Sequence, residues 1–241
     1  MVLHNRNTRR PCYRLLSLTT YLWISATGMS ESAETRSVLM EKNRLESLTD
    51  GIFAFAMTLL VTSMILPQDA VAGQSSGTTL ISLLPDFYHY IIAFFVLAAF
   101  WMAHHRQFSR VHHIDHNFLN INIIGLFFIT LVPFSTSFIG DYDADVIATC
   151  LFEFNLMILG LIFTLQWLYA SRKHGLISPD IPASEIRQRL NHGLIIPFIS
   201  LVGIGITLTG FESSTMIYMT SPLVSYVVDR YIKKGTSDKA D

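Results

Sequence analysis

The chain has 241 residues, of which 51% are hydrophobic and only 15% charged, and its mean hydropathy is +0.41. This composition is typical of a polytopic membrane protein and is far from that of a soluble globular domain. The net charge of -1 lacks the excess of positive charge with which nucleic-acid binders release counterions, so we expect no nucleic-acid partner. Cys12 and Cys150 lie far apart in the chain and indicate neither a disulfide framework nor a thiolate metal site.

Residues 1–42 precede the first long apolar run and are rich in basic and polar residues. The stretch "RNTRRPCYRLLSLTTYLWISA" has a basic lead and a short apolar part interrupted by threonines, which resembles a weak signal peptide. Cleavage there would leave Arg36, Lys42 and Arg44 on the outer side, against the preference of positive charge for the cytoplasm. We therefore expect a cytoplasmic N-terminal tail, or an over-extended reading frame whose natural start is Met29.

Six apolar runs are long enough to cross a bilayer. A hydrocarbon core of roughly 30 Å needs about 20 helical residues, and strand-type alternation is absent. The runs lie near residues 47–66, 86–105, 118–139, 146–169, 191–211 and 214–232. The sequence predicts an all-α polytopic membrane protein, with a six-helix transmembrane domain over 43–232 and a cytoplasmic C-terminal tail over 233–241.

The positions of the charges predict the topology. All 17 lysines and arginines fall before the first run, after the second, after the fourth or in the tail. The three alternate loops instead carry the acids Asp69, Asp141, Asp143, Asp145 and Glu212. Because positive residues near span ends stay inside, both termini are predicted to be cytoplasmic, in a multi-pass protein of the cell inner (plasma) membrane.

The first predicted helix, within "NRLESLTDGIFAFAMTLLVTSMILP", presents two different faces. Phe55, Leu59, Thr62 and Leu66 form a stripe roughly 60° wide on a helical wheel, at about 100° per residue. Asp50 lies about 180° from Leu59 on that wheel. An acid just inside the bilayer boundary usually faces the bundle and finds a donor, so we expect Asp50 to be paired inward.

Two simpler interpretations of this helix stay open at this point. Arg44 and Glu46 are also what interfacial charges flanking a span look like, and Asp50 would be a helix cap if the helix began later. An apolar stripe at helical spacing is usually a packing surface, and a threonine in it usually bonds its own backbone.

Three motifs resemble the transmembrane protein 175 family of potassium channels, in particular its bacterial members with six spans. The segment Arg44–Asp50 fits R-x-x-x-L-T-D, close to the R-x-x-x-F-S-D signature on that family's first helix. The segment "FWMAHHRQF" resembles the W-x-x-H-x-R-x-F that ends the second helix, and "NIIGLFFITLVPF" resembles the third. Leu48 and Thr49 depart from the signature's phenylalanine and serine.

The resemblance implies a homotetrameric cation channel of modest potassium selectivity, in which the first helix of each subunit lines the pore. By position, Leu59 matches the apolar constriction, Phe55 the bulky residue one turn towards the cytosol, and Thr62 the hydroxyl layer one turn beyond. Phe55 departs from the family's usual isoleucine. The resemblance also implies a buried polar network that holds the first helix against the next two, formed by Arg44, Asp50, Trp101, His104 and Asn122. The implied partners are potassium ions, the lipid bilayer and further copies of the chain, with no cofactor and no metal.

Two rival functions rest on other residues. The segment "HHRQFSRVHHIDH" contains five histidines and an aspartate, and imidazoles at i and i+4 can share a divalent ion, as in a membrane metalloenzyme. Membrane di-iron enzymes use several separated histidine clusters, whereas this chain has one, so we expect no enzyme activity. Glu153, inside the fourth run, suggests a proton-coupled transporter, although an acid near a helix end more often bonds a neighbour.

Overall fold

The computed structural model describes residues 42–62, 64, 75–142, 145–172, 176–211 and 214–237, except for the side chains of 229 and 231–237. All of these belong to one compact unit, Lys42–Asp241. The predicted N-terminal tail before Lys42 lies outside the described residues, as do Leu66, Asp69, Asp143, Glu212 and 238–241.

The described chain is all-α, as the sequence predicts. The helices are α1 (Lys42–Thr62), α2 (Ser76–Ser82), α3 (Leu84–Phe108), α4 (His116–Asp141), α5 (Val146–Arg172), α6 (Ala183–Gly193), α7 (Ile195–Thr207) and α8 (Ser221–Ser237), with a 3₁₀ helix at Ser214–Thr220 before α8. Between the described residues the only β pairing is an isolated bridge of Val111 with Ile177.

Five helical segments among the described residues are long and apolar enough to cross a membrane. They are α1, α3, α4, α5 and the run Ala183–Thr207. The first four coincide with the first four predicted runs. The fifth starts earlier than predicted, and a turn at Leu194 divides it into the polar α6 and the apolar α7.

The sixth predicted run, 214–232, is not one continuous α-helix. Ser214–Thr220 is a 3₁₀ helix, and α8 begins at Ser221 with Pro222 as its second residue. Proline has no N–H to donate and its ring clashes with a preceding helical turn, so Pro222 favours the start of an α-helix over its interior. The prediction of a single span here is therefore corrected to two segments.

Aspartates begin two of the long helices. Asp115 accepts a hydrogen bond from the Phe118 N–H at 2.9 Å, and Asp145 accepts from the N–H groups of Ile147 and Ala148, each at 2.9 Å. These bonds satisfy backbone donors that have no partner inside the helix, which places the starts of α4 and α5.

The core is centred on α5, which packs against α4 and α7. Fully buried residues of α5 include Phe152, Leu156 and Leu159. Gly160 allows α7 to approach, because a Cβ built there would lie only 2.6 Å from the Cδ atom of Pro197. Loop segments close one end of the unit, where the His112 N–H donates to the Leu176 carbonyl at 2.8 Å.

Candidate pore helix and its polar support

Helix α1 is buried on one face and exposed on the other. Phe53, Ala56 and Leu60 are at most 1% exposed and belong to the main core. Phe55, only two residues from Phe53, is 62% exposed. Thr62 is exposed and Leu59 is half-buried, so the predicted stripe lies along the open side of the helix and its edge. In the isolated subunit this face is free to line a conduit or to meet a neighbour.

The threonines on the open face direct their hydroxyl hydrogens to the backbone. Thr58 donates to the Phe55 carbonyl and Thr62 donates to the Leu59 carbonyl, each at 2.8 Å. Because each hydrogen is used within the helix, the oxygen lone pairs point away from it. The open face therefore combines apolar side chains with hydroxyl oxygens that can attract a cation.

A buried amide connects the packed face of α1 with three other helices. The Asn122 side chain donates to Thr49 Oγ1 at 3.0 Å and accepts from Gln166 Nε2 at 2.9 Å. Its oxygen also lies 3.0 Å from His104 Nε2, and an amide oxygen only accepts, so this bond requires a proton on His104 Nε2. Thr49 donates in turn to the Leu45 carbonyl at 2.9 Å. These bonds join α1, α3, α4 and α5 at one point.

A second polar contact joins α1 to α3 closer to the surface. Trp101 Nε1 donates to Asp50 Oδ1 at 2.8 Å, and the indole is 38% exposed. The ring of His105 stacks on Trp101 with centroids 6.0 Å apart, and its Nδ1 lies 3.5 Å from Glu46 Oε1. Two side chains of α1 and two of α3 thus form a series of contacts in the order Asp50, Trp101, His105 and Glu46.

The structure arranges the predicted network residues as two groups. Asp50 bonds Trp101, and His104 bonds Asn122. Arg44 is exposed, and it takes part in none of the ion pairs between described residues, so the structure does not bring it to the other four.

The capping interpretation of Asp50 is wrong, because α1 is already helical from Lys42. Two members of the buried group escaped the sequence analysis. The sequence marks Thr49 only as a departure from the family signature, and none of the three motifs includes Gln166. A lone glutamine within an apolar span is a signal that such a group exists.

The histidines of the rival metal site lie in different environments. His104 is 2% exposed and bonded to Asn122, whereas His105, His112 and His113 are exposed. Asp115 caps α4 and accepts from the Tyr169 hydroxyl at 2.6 Å. Within the described ranges, no three histidine, cysteine or acidic side chains converge as metal ligands would.

Glu153, the acid behind the transporter alternative, is fully buried and held by hydroxyls. Ser214 Oγ donates to its Oε1 at 3.1 Å, and Thr207 Oγ1 lies 3.2 Å from its Oε2. Gly203 leaves room for the carboxyl, because a Cβ built there would lie 2.5 Å from Oε1. The carboxyl thus connects α5 with α7 and the 3₁₀ helix.

Comparison with known proteins finds a family similarity in the first half of the described chain. A family model described as the endosomal/lysosomal potassium channel TMEM175 matches residues 44–133, a stretch that contains all three motifs noted in the sequence. Over this stretch the chain is similar to the TMEM175 family. The matched stretch comprises nearly all of α1, the whole of α2 and α3 and most of α4, and it contains both polar groups except for Gln166 on α5.

Two of the similar proteins come from bacteria, and both are named as potassium channels. A protein of Chamaesiphon minutus named as a potassium channel is 28% identical over 179 residues, covering 70% of this chain and 88% of that protein. A protein of Streptomyces collinus, also named as a potassium channel, is 27% identical over 151 residues, covering 61% and 73%. The crystal structure of a lysosomal potassium-selective TMEM175 homolog from Chamaesiphon minutus matches with a TM-score of 0.63 at 24% identity, covering 80% of this chain and 98% of that one.

Proposed function

We propose that this chain is a TMEM175 family member and the subunit of a homotetrameric potassium channel whose pore is lined by α1. The observation that carries the proposal is the pair of faces on α1. One face is fixed in the core, and the other is exposed and carries Phe55, Leu59 and Thr62. The family and the bacterial relatives are named as channels, which favours this function over a transporter or a metalloenzyme.

The side chains of the open face suggest how ions pass. Four copies of Leu59 around an axis form an apolar ring, which gates by dewetting and cannot coordinate a bare cation as carbonyls do. Selectivity is therefore modest, and it favours potassium because potassium gives up part of its water more cheaply than sodium. The outward-facing oxygens of Thr58 and Thr62 replace some of that water next to the constriction.

The polar groups behind α1 act as positioning residues. The Asn122 amide and the Asp50–Trp101 bond attach α1 to α3, α4 and α5 at two places on its packed side. A helix attached at two places keeps its rotation, so the same residues keep facing the axis. Arg44 does not belong to this support in the subunit and has its place at the membrane surface.

The proposed channel domain covers residues 43–232, with both termini cytoplasmic and the tails at 1–42 and 233–241. The loops after α3 and α5 meet through the bridge of Val111 with Ile177, so their basic residues lie at one end of the unit. Arg110 after α3 lies 3.1 Å from Glu185 on α6. The positive-inside rule then assigns this end to the cytoplasm of a cell inner membrane.

Ion flux from liposomes tests the proposal. Purified protein is reconstituted with a potassium gradient and compared with Leu59→Ala and with the control Leu161→Ala, whose parent leucine is 42% exposed on α5. We expect potassium flux that does not saturate, a smaller sodium flux, and an increase of about tenfold in Leu59→Ala, since tenfold corresponds to about 1.4 kcal/mol of barrier. The control keeps the parent flux.

Other outcomes contradict the proposal in separate ways. Absence of flux from all three proteins favours the rival functions. Flux that saturates with substrate and follows a proton gradient indicates a carrier. An equal increase in Leu59→Ala and Leu161→Ala shows that α1 does not line the conduit. Native mass spectrometry in neutral detergent checks the assembly, where a monomer excludes a four-fold pore.

A further inference from the structure

A cavity of about 800 Å³ lies between α3, α6, α7 and α8, away from the residues assigned to the pore. Its volume falls in the range of small-molecule sites, which is roughly 300–1,000 Å³. Met102, Arg106 and Ser184 line it and are exposed, so it opens at the protein surface. The proposed channel function makes no use of this cavity.

The cavity is apolar at one end and polar at the other. Along α3 the lining changes from the apolar Ala99 and Phe100 to the polar Arg106 and Gln107. At 1.5 Å per helical residue, Phe100 and Arg106 lie about 9 Å apart along the helix axis. On the opposite wall the polar residues come first in the chain. Ser184, Glu185 and Gln188 lie on α6, and the apolar Ile195 and Ile196 follow on α7.

The two walls are antiparallel, so their polar ends coincide. Arg189 Nη1 donates to the Arg106 carbonyl at 2.9 Å, which joins the polar ends. At the apolar end, a Cβ built on Gly160 would lie 2.6 Å from Pro197 and 3.5 Å from Phe100, so those two residues are close. The cavity therefore has a single gradient of polarity from its mouth inwards.

The polar end carries an excess of positive charge. Glu185 Oε1 lies 2.8 Å from Arg189 Nη2 and 3.1 Å from Arg110 Nη2. The charged side chains that line the cavity are Arg106, Arg189 and Glu185, which gives a net charge of 2 − 1 = +1, and Arg110 adds a further guanidinium beside the Glu185 carboxylate. The side chain of Arg106 enters none of the ion pairs between described residues. Guanidinium groups hold phosphate through paired N–H donors.

We propose that this cavity binds an acidic phospholipid of the cytoplasmic leaflet. Its phosphate lies at Arg106 and Arg189, and the start of an acyl chain lies against Phe100 and Ile196. A zwitterionic lipid gains little binding free energy from the excess positive charge. A free anion gains none from contact with the apolar half of the cavity. Arg106 stands two residues before the end of a membrane-spanning helix, at the depth where basic pockets between helices meet lipid headgroups.

Lipid binding to the purified protein tests the proposal, and no ion flux is involved, so the result does not depend on channel activity. Native mass spectrometry in neutral detergent measures binding of dioctanoyl phosphatidylglycerol, dioctanoyl phosphatidylcholine and glycerol phosphate. We expect phosphatidylglycerol to bind at least about tenfold more tightly than either other probe. Arg106→Gln should weaken its binding about tenfold, which corresponds to about 1.4 kcal/mol. Arg106→Lys, which keeps the charge, should lose less.

Two further variants make the test specific to this cavity. Arg187→Gln removes the same charge from an exposed position of α6 that does not line the cavity, and it should bind as the parent does. Ala103→Phe fills the space between the polar and apolar ends, and it should weaken phosphatidylglycerol binding. If Ala103→Phe does not fold, the comparison of the Arg106 and Arg187 variants still decides whether the lipid binds at this cavity.

The opposite results overturn the proposal. Equal binding of the two lipids shows that charge does not select the ligand. Glycerol phosphate that binds as tightly as phosphatidylglycerol makes the ligand a free phosphate ester. Equal losses in Arg106→Gln and Arg187→Gln indicate unspecific attraction to a basic surface, and unchanged binding in a folded Ala103→Phe places the acyl chain elsewhere.

Discussion

Helices α1 and α5 are both apolar enough to cross a membrane, but they occupy opposite kinds of place in the subunit. In its most apolar stretch 28% of α1 is buried, against 50% of α5. Helix α5 packs between α4 and α7 in the centre, whereas α1 touches the core along one side. Hydropathy alone does not separate a helix that fills a core from one that leaves a face for a pore.

Polar side chains on the two helices follow the same division. Glu153, Asn155 and Gln166 of α5 are buried, and each takes part in hydrogen bonds with other helices. Thr58 and Thr62 on the open face of α1 bond only their own helix among the described contacts. Polar groups of the first kind hold helices together, and those of the second kind remain available to ions.

The largest expected effect is a difference in the free energy of unfolding between the alanine variants of two phenylalanines on α1. Phe53→Ala removes a ring that is 1% exposed and packs near His104 and Phe163, and it should lower the free energy of unfolding by about 3–5 kcal/mol. Phe55→Ala removes a ring that is 62% exposed and should change it by less than about 0.5 kcal/mol. Denaturant titration in detergent, followed by circular dichroism, measures both.

This pair of variants also probes the assembly. If Phe55 faces a water-filled pore, Phe55→Ala lowers the free energy of unfolding of the tetramer only slightly. A loss comparable to that of Phe53→Ala would show that Phe55 packs tightly against a neighbouring subunit, which contradicts its proposed position in the pore.

Most of the fold was predictable because long apolar runs have few alternatives in a bilayer. The runs near 86–105, 118–139 and 146–169 correspond to α3, α4 and α5, which differ from them by only a few residues at the ends. The turn at Leu194 is flanked by Gly193 and Pro197, but Gly203 and Gly205 lie in the same run without breaking the helix, so glycine and proline alone do not locate the turn. Pro222 lies just after the 3₁₀ helix Ser214–Thr220, but membrane helices tolerate proline, so its presence alone does not predict the break.

The site was predictable only in part. Family motifs named Trp101, His104 and Asn122, and the structure places all three next to bonding partners. Gln166 lies 44 residues from Asn122 in the chain, and no local pattern relates the two. Glu153 is likewise brought to Thr207 and Ser214 by tertiary packing and not by sequence spacing.

A smaller effect is expected from the amide that joins the packed face of α1 to the core. Asn122→Ala removes the partner of Thr49, His104 and Gln166 and leaves their buried polar atoms without it. Because an unsatisfied buried group costs about 1–3 kcal/mol and neighbouring groups partly re-pair, we expect a net loss of roughly 2–3 kcal/mol. Thermal unfolding in detergent gives the value.

Asn120→Ala is the matched control for that variant. Asn120 lies on the same helix two residues earlier and is exposed, so its removal should cost almost nothing. Equal losses in the two variants would mean that the Asn122 bonds add no net stability, and that α1 is held by apolar packing alone.

The smallest effect is expected at the second attachment of α1, the bond from Trp101 to Asp50. Asp50→Asn keeps a side-chain oxygen that accepts from the indole N–H, so it should cost only a few tenths of a kcal/mol, whereas Asp50→Leu removes the acceptor. The indole is 38% exposed, so water replaces the lost acceptor, and Asp50→Leu should cost about 1 kcal/mol or less. A loss above about 2 kcal/mol is the size found when a buried charged partner is removed, and it would mean that another subunit shields the pair from water. Comparing the two variants in the monomer and in the tetramer distinguishes these cases. A large difference found only in the tetramer places the edge of α1 that carries Asp50 at the contact between subunits, and leaves the stripe of Phe55, Leu59 and Thr62 for the axis.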